Sequence, residues 1–267
     1  MKSSPVALIL TLTAAATLVA QDLPEWVLNL SRIKRHTRAE LQHLPNYTCF
    51  ETVARYDKAA SAHGFKQHDV LRLEVAVVDG KESLSLAGAS RFGDDQLPNY
   101  VDTGMFGTGT FSATTSNLFI NDNSRSTGWG KESMNDRPAF RYDYEIAQPF
   151  SGFHLASDSF ESTVGVKGTF WVDAGTLDLI RIEQEAVDIP PLLLMDRVMT
   201  SVDYARTRIG SKDVLLPQSA EILVVNSNAS QRKNLVEFSG CREYQSESVL
   251  RFDSDTAAPP APRKKQP

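Results

Sequence analysis

Apolar residues recur at helical spacing near the start of the chain and at alternate positions through most of the rest. The helical spacing predicts one amphipathic helix over about residues 24–43. Asp22 and Glu25 match a capping-box pattern at its start, and Leu44-Pro45 ends it. The apolar stripe of this helix consists of Leu23, Trp26, Val27, Leu30 and Ile33.

From Asn46 onward the dominant period is two, which predicts β-strands with one apolar face. The clearest case is 70–78, which is followed by Asp79-Gly80, a pair typical of a tight hairpin turn. Consecutive strands joined by short turns predict a meander, and hence one continuous antiparallel sheet. The predicted strands are 46–56, 70–78, 81–86, 133–147, 162–173, 177–188, 198–209, 214–225, 234–241 and 244–252.

Two segments interrupt this pattern. Residues 88–120 contain five glycines and scattered aromatic residues, and a short helix is predicted within them at 112–119. Such a long gap between strands is either a functional flap or a disordered excursion. The sequence I-P-P-L-L-L-M at 189–195 is predicted to be a loop, because its two prolines prevent regular strand pairing.

The N-terminus has the features of a secretory signal. Lys2 precedes an apolar stretch from Val6 to Val19, and small residues lie around Ala20. We therefore expect residues 1–20 to be a signal peptide, with an uncleaved N-terminal anchor as the alternative. Residues 21–255 are expected to form one domain, and the Pro-rich, basic residues 256–267 a disordered tail. The mature protein is expected to be periplasmic or extracellular and to have no transmembrane span.

Composition and cysteine content agree with an exported globular protein. Hydrophobic residues make up 41% of the chain, which is enough for a core, and the formal net charge of −5 argues against a nucleic-acid partner. In an exported protein, the pair Cys49 and Cys241 is expected to form a disulfide. The alternative is two separate buried thiols.

No motif with recognisable catalytic or metal chemistry stands out. Ser90 lies in a Gly-rich segment that resembles a nucleophile elbow but has one residue too many. The histidines lack metal-ligand spacing. Glu183 and Glu185 alternate with Arg181, which is typical of a solvated sheet face. We therefore expect no metal, no cofactor and no enzymatic activity, with a hydrolase of scattered catalytic residues as a remote alternative.

The strand at 214–225 is apolar on both faces, because Leu223 and Val225 alternate with Ile222 and Val224. One face can pack on the core, whereas the other needs a covering element or a ligand. The predicted helix, the 88–120 segment and the 189–195 loop are the candidate covers. They either complete a dry core or enclose an apolar pocket for an acyl chain or similar ligand.

The stretch from Gly168 to Arg181 reads G-x-x-W-x-D-x-x-T-x-x-x-x-R. It resembles a hairpin of the half-barrel periplasmic lipoprotein carrier and of the related sigma-factor regulatory protein. The chain also closely resembles a family of uncharacterised secreted bacterial proteins over 71–81, 168–191 and 238–252. The first resemblance implies a half-barrel fold. The cysteine pair, the enlarged Gly-rich segment and the basic tail depart from the carrier.

We therefore predict a mainly β (α+β) fold, in which a long antiparallel meander forms an incomplete (half) β-barrel with an N-terminal helix, covering loops and a short helix. The predicted function is a non-enzymatic binding protein that holds a lipid, an acyl chain or another apolar envelope component in the concave face. The alternative is a protein-interaction, sensor or scaffold module whose partner is another envelope protein. The residues predicted to line the opening are Phe106, Phe111, Leu118, Phe119, Leu192, Leu193, Leu194 and Met195, with Trp171 as a weaker candidate.

Overall fold

The computed structural model describes residues 23–88, 92, 105 and 112–244. The predicted signal peptide, the predicted tail and nearly all of the strand predicted at 244–252 lie outside the described residues. Within the described ranges, none of the helices combines the length and apolar character needed to cross a bilayer.

The predicted helix is present as α1 (Glu25–Gln42). Pro24 occupies the N-cap position, and no side chain caps the helix there. The first helical turn therefore begins one residue later than the sequence indicated. Two short helices follow later in the chain. They are α2 (Ser112–Thr115), which continues as a π-helical turn over Ser116–Ile120, and α3 (Gln148–Ser151).

Eleven strands form one antiparallel sheet in the described part of the chain. The alternating pattern predicted most of them within a few residues. They are β1 (Tyr47–Lys58), β2 (Lys66–Val78), β3 (Lys81–Leu86), β4 (Arg125–Met134), β5 (Arg137–Ile146), β6 (Phe153–Ala156), β7 (Glu161–Asp173), β8 (Leu179–Val187), β9 (Met195–Ile209), β10 (Lys212–Asn226) and β11 (Gln231–Glu243).

The strand predicted at 133–147 is present as β5, but its first residues, 133–136, are wrongly assigned. The chain instead forms a β4–β5 hairpin that turns at Asn135 and Asp136, both of which have a positive φ. Asparagine and aspartate tolerate this left-handed conformation better than most residues. The sequence pattern also missed α3 and the short strand β6, which pairs with β7.

The sheet is open, and its strand order is β3-β2-β1-β11-β10-β9-β8-β7-β5-β4. From β4 to β11 the chain is a meander, as predicted, and the half-barrel fold is confirmed. The first three strands join this meander through pairing between β1 and β11. A disulfide between Cys49 and Cys241, 192 residues apart in sequence, links these two strands and confirms the predicted pair.

The connection from β3 to β4 joins the two opposite edges of the sheet, because these strands stand first and last in the strand order. It comprises residues 87–124 and includes the Gly-rich segment noted in the sequence. Its described part includes Met105, α2 and the π-helical turn. The carbonyl oxygen of Met105 accepts a hydrogen bond from the Asn234 side chain on β11, at 3.0 Å.

The two faces of the sheet differ in character. We call the face that carries α1 the inner face and the opposite one the outer face. On β8, Ile182, Gln184 and Ala186 are buried on the inner face, whereas Glu183 and Glu185 alternate with them on the outer face. The hydrophobic core therefore lies on the inner face, and a site sheltered from water would lie there too.

Candidate functional site: the inner face of the sheet

One end of the inner face is filled by α1 and the π-helical turn. Ile33 on α1 and Phe119 on the turn are both fully buried. The Phe119 ring packs edge-on against Phe170 at 5.2 Å between centroids, and Tyr142 stacks on Phe170 at 5.4 Å. The Tyr142 hydroxyl donates a hydrogen bond to the Trp26 carbonyl oxygen at 3.0 Å. We call this group of residues the helix cluster. Side chains of the described residues fill this end of the inner face.

Ion pairs hold the C-terminal half of α1 on the sheet. Asp178, in the turn between β7 and β8, accepts two hydrogen bonds from Arg206 at 2.9 and 2.6 Å. His36 on α1 lies 3.1 Å from the same carboxylate, and Glu40 lies 3.3 Å from Arg206. Burial alone would raise the pKa of Asp178, but the hydrogen bonds from Arg206 and His36 hold it below its ordinary value.

A second apolar cluster occupies the other end of the inner face. We call it the rim cluster, and it adjoins the end of β8 and the start of β9. Its buried members are Leu155, Val164, Ala186, Leu193, Val198 and Val224. Half-buried side chains pack against it, and these are Met105, Phe153, Phe160, Ile189 and Met195.

We call the segment 190–195 the rim turn. Its apolar side chains begin in this cluster and continue into solvent. Pro191–Leu193 forms a 3-10 turn, so the predicted loop is confirmed as a break between strands. Leu193 is 2% exposed within the rim cluster, but Leu192 and Leu194 on either side are 64% and 66% exposed. Three consecutive leucines therefore extend from the buried cluster to solvent.

The backbone conformation and hydrogen bonds of the rim turn fix the positions of these leucines. Leu194 has φ 56° and ψ 30°, a left-handed conformation that is unfavourable for a bulky side chain. Its amide donates a hydrogen bond to the Pro191 carbonyl oxygen at 3.1 Å, and its own carbonyl oxygen accepts one from the Ser227 amide at 3.0 Å. A strained residue fixed by its surroundings is often associated with function.

Between the two clusters, a row of inner-face positions contains several polar side chains, and we call it the polar row. The strand register aligns its members across β1, β11, β10, β9, β8, β7 and β5. They are Arg55, Asn234, Ile222, Thr200, Gln184, Gly168 and Tyr144. At one end, the buried Arg55 is neutralised by Asp69, and its Nε lies 2.6 Å from the carboxylate. This hydrogen bond lowers the pKa of Asp69.

At the other end of the polar row, the ring of Tyr144 lies over Gly168. A Cβ atom at Gly168 would come within 2.6 Å of this ring and 2.2 Å of the Glu183 carbonyl oxygen. The first glycine of the motif noted in the sequence is therefore required for packing. The Tyr144 hydroxyl donates a hydrogen bond to the Glu183 carbonyl oxygen at 3.3 Å.

Gln184 and Thr200 lie directly opposite each other at the centre of the polar row. They are 7% and 4% exposed. Neither side chain has a hydrogen-bond partner among the described residues. A buried polar side chain usually has such a partner, so this pair is an exception on the inner face.

A second group of buried polar side chains lies near the helix cluster. Glu51 on β1 is 4% exposed. Burial, together with the nearby Glu82 carboxylate, raises the pKa of Glu51 to about 8, so this carboxyl group is protonated at neutral pH. The hydroxyl of Tyr204 is also buried and lacks a hydrogen-bond partner in the described structure. Burial raises the pKa of Tyr204, to which Glu82 also contributes.

The outer face has a shallow groove of about 630 Å³ over β5, β7, β8, β9 and β10. Its charged side chains are largely paired with each other. Lys167 lies 3.4 Å from Glu185, and Arg181 lies 2.8 Å from Glu183. These ion pairs agree with the solvated face predicted from the sequence. Leu223 lies opposite Met199 at this groove, so the outward apolar side of β10 is only half-buried.

The structure disperses the predicted binding residues. Phe106 and Phe111 lie outside the described residues. Leu118 and Phe119 belong to the helix cluster, at 1% and 0% exposed. The rim turn and the start of β9 bring Leu192, Leu193, Leu194 and Met195 together, as listed from the sequence. Their role in ligand binding stays a prediction.

Trp171 is buried in a small cluster with Ala139 and Ile180, and its indole nitrogen donates a hydrogen bond to Glu132. Its neighbours Phe170 and Val172 belong to the helix cluster on the inner face, so Trp171 alternates onto the outer side. It is therefore placed away from the rim turn.

Sequence reasoning missed Gln184 and Thr200. A signal was present, because Gln184 occupies the same alternate positions as Ile182 and Ala186 in an otherwise apolar series. Thr200 likewise stands between Val198 and Val202. A polar residue at a core-facing position of a strand is the pattern that identifies such a site.

The described residues contain no group of three or more His, Cys, Asp or Glu side chains placed to hold a metal ion. His68 pairs with Asp57 at 2.8 Å, and His154 lies 3.4 Å from Glu161. Ser90, the serine of the elbow-like segment, lies outside the described residues.

No family model matches the chain, and no curated protein matches it. The solved structures that are similar to it include the following three. An outer membrane lipoprotein-sorting protein domain from Vibrio parahaemolyticus has 12% identity and a TM-score of 0.45, covering 83% of this chain and 95% of that one. A DUF1329 family protein from Desulfovibrio piger has 9% identity and a TM-score of 0.43, covering 85% and 97%.

MucB, in its complex with MucA, has 10% identity and a TM-score of 0.18, covering 83% of this chain and 98% of that one. The lipoprotein-sorting domain is of the kind that the Gly168–Arg181 stretch resembles. At such low identity and TM-score, no function passes from these proteins to this chain.

Proposed function

We propose that this protein is a non-enzymatic binding protein of the bacterial cell envelope that holds an acyl chain or another apolar component at the rim end of its inner face. The observation that carries the proposal is the rim turn, where Leu192 and Leu194 are about two-thirds exposed beside the buried Leu193. An apolar ligand would extend the rim cluster and remove these leucines from water.

The proposal places the ligand at one end of the inner face only. At the other end, α1 supplies Ile33 and the π-helical turn supplies Phe119, and both fill the helix cluster. The ligand would therefore lie against Leu193, Val198 and Met195, within reach of the exposed leucines. Each leucine that it covers contributes about 1.5–3 kcal/mol at full burial.

Export is part of the same proposal. The N-terminal residues have the pattern of a secretory signal, and the Cys49–Cys241 disulfide is typical of proteins that fold in an oxidising compartment. A lipid or a lipoprotein acyl chain is the ligand class that such a compartment offers.

The test is ligand uptake by the purified protein, measured with a fluorescent fatty acid and by native mass spectrometry. The informative variant is Leu194→Asn, because asparagine tolerates a left-handed conformation better than leucine. The fold should be retained or slightly stabilised, whereas affinity for the fatty acid should fall about tenfold.

Leu28→Asn is the matched control. Leu28 is 49% exposed on α1, which belongs to the other end of the inner face. This change should leave uptake unaltered. If the wild type takes up neither the fatty acid nor its methyl ester, or if Leu28→Asn lowers affinity as much as Leu194→Asn, a rim-end lipid site is ruled out.

A second candidate function is docking of another envelope protein on the rim turn. The exposed Leu192 and Leu194 favour it as well, since protein partners also cover exposed apolar side chains. A folded wild type that fails to take up lipid but forms a rim-dependent complex with an envelope protein would favour this second function.

A further inference from the structure

The unpartnered pair Gln184 and Thr200 lies between two apolar clusters. On one side along the strands are Ile182 and Val202, which belong to the helix cluster. On the other side are Ala186 and Val198, which belong to the rim cluster. A ligand that passes from the rim cluster along the inner face would meet this pair next.

The hydrogen-bonding groups and charges of the polar row determine which functional group of a ligand could bind there. Gln184 offers an amide N–H donor and a carbonyl acceptor, and Thr200 offers a hydroxyl that can do both. Neither is charged, and the one cation in the row, Arg55, is already paired with Asp69. A free carboxylate or a phosphate would find no unpaired cation in this row, whereas an uncharged carbonyl group would find donors.

The other polar positions of the row already have hydrogen-bond partners. Asn234 donates its hydrogen bond to the Met105 carbonyl oxygen, and Tyr144 donates to the Glu183 carbonyl oxygen. Ile222 separates Asn234 from Thr200. The unmet hydrogen-bonding capacity of the row is therefore concentrated at Gln184 and Thr200.

We infer that the site takes an uncharged acyl ester or amide, whose carbonyl group hydrogen-bonds to Gln184 and Thr200 while its hydrocarbon chain lies in the rim cluster. This inference rests on the proposed function and specifies its ligand. It makes the site selective for small uncharged acyl esters and amides over bare hydrocarbon and free fatty acids.

The test compares three probes of equal chain length: hexadecane, methyl hexadecanoate and hexadecanoate. Each is measured by native mass spectrometry and by competition with a fluorescent fatty acid. The wild type should bind the methyl ester about tenfold more tightly than the hydrocarbon, which is the fold-change that a good buried hydrogen bond confers. The ester should also bind more tightly than the carboxylate.

The variants are Thr200→Val, which keeps the shape of the side chain and removes its hydroxyl, and the double change Gln184→Met with Thr200→Val. The ester should lose its advantage in the double variant, while affinity for hexadecane is retained. Thr200→Val alone should remove part of the ester's affinity advantage over hexadecane. If the double variant does not fold, this single variant provides the test. Ser201→Ala is the matched control, because Ser201 is the next residue of β9 and pairs with Glu183 of the outer face.

The possible failures are distinct. A wild type that binds none of the three probes contradicts the proposed function itself. A wild type that binds all three equally, or a double variant that keeps the ester preference, overturns the inference and leaves the apolar site intact. An equal loss of ester preference in Ser201→Ala would also overturn it, because Ser201 lies on the outer face.

Discussion

The two ends of the inner face contain the same kinds of apolar side chain, but among the described residues only the rim end has a run of leucines that reaches into water. In the helix cluster, α1 places Ile33 at 0% exposure. In the rim cluster, Leu193 is 2% exposed, but its neighbours Leu192 and Leu194 remain in water. Apolar composition alone therefore does not distinguish a structural core from a binding surface. What distinguishes the two ends in the described structure is whether leucines next to the buried side chains remain exposed.

The largest expected effect comes from breaking the junction that holds the first three strands on the meander. Replacing both Cys49 and Cys241 by serine should lower the free energy of unfolding by up to about 5 kcal/mol, because the disulfide closes a loop of 192 residues. Denaturant unfolding of the variant and the wild type measures this. An unchanged midpoint would mean that pairing between β1 and β11 is sufficient by itself.

A matched pair of cavity mutations tests whether the two ends of the inner face differ in function. Ile33→Ala and Leu193→Ala should each lower the free energy of unfolding by about 2–5 kcal/mol, since both side chains are buried. Only Leu193→Ala should reduce fatty-acid uptake per folded molecule. Equal uptake by both variants would show that the two ends do not differ in function.

The buried Glu51 gives the helix end a pH-dependent stability. Its pKa is raised from the ordinary 4.5 to about 8 in the folded protein, so the native state holds a proton that the unfolded state releases. This stabilising contribution is complete below about pH 4.5 and is lost as the pH rises towards 8, by at most about 1.4 kcal/mol per pH unit. Thermal unfolding across this range should show a smaller decline in Glu51→Gln, and an identical pH profile would contradict the assignment.

The smallest expected effect concerns how α1 is attached. Asp178→Asn should cost about 1–2 kcal/mol, because the carboxylate accepts hydrogen bonds from Arg206 and faces His36. The pKa of Asp178 is lowered in the fold, so this contribution is present above its ordinary value of 3.8 and is lost as the pH falls through the folded value. Hydrogen exchange of α1 amides should rise in the variant, whereas protection of β8 and β9 at the rim should not change.

The sequence predicted most strands because each has one buried and one solvated face. Val70–Val78 is the clearest case, and β7 to β11 follow the same rule. The strand β4 was missed for a physical reason. It lies at the edge of the sheet, contains Gly128 and Gly130, and has no fully buried side chain, so it lacks the alternation on which the prediction depends.

The candidate site was predictable only in part. The run of leucines at 192–194 was visible in the sequence, but its division into one buried and two exposed side chains depends on the backbone of the rim turn. The pairing of Gln184 with Thr200 depends on the register between β8 and β9. A one-residue shift of that register would place one of the two side chains on the outer face.

The pairing of β1 with β11 has a consequence for how the protein is made. Tyr47 lies opposite Glu243, so β1, the third strand in the order, finds one of its two neighbours only after residue 243 has been synthesised. Contacts between residues so far apart in sequence form slowly, because the intervening chain must first be closed into a loop. The pairing that joins the first three strands to the meander is therefore among the last contacts to form, after the hairpins on either side of it can already have folded.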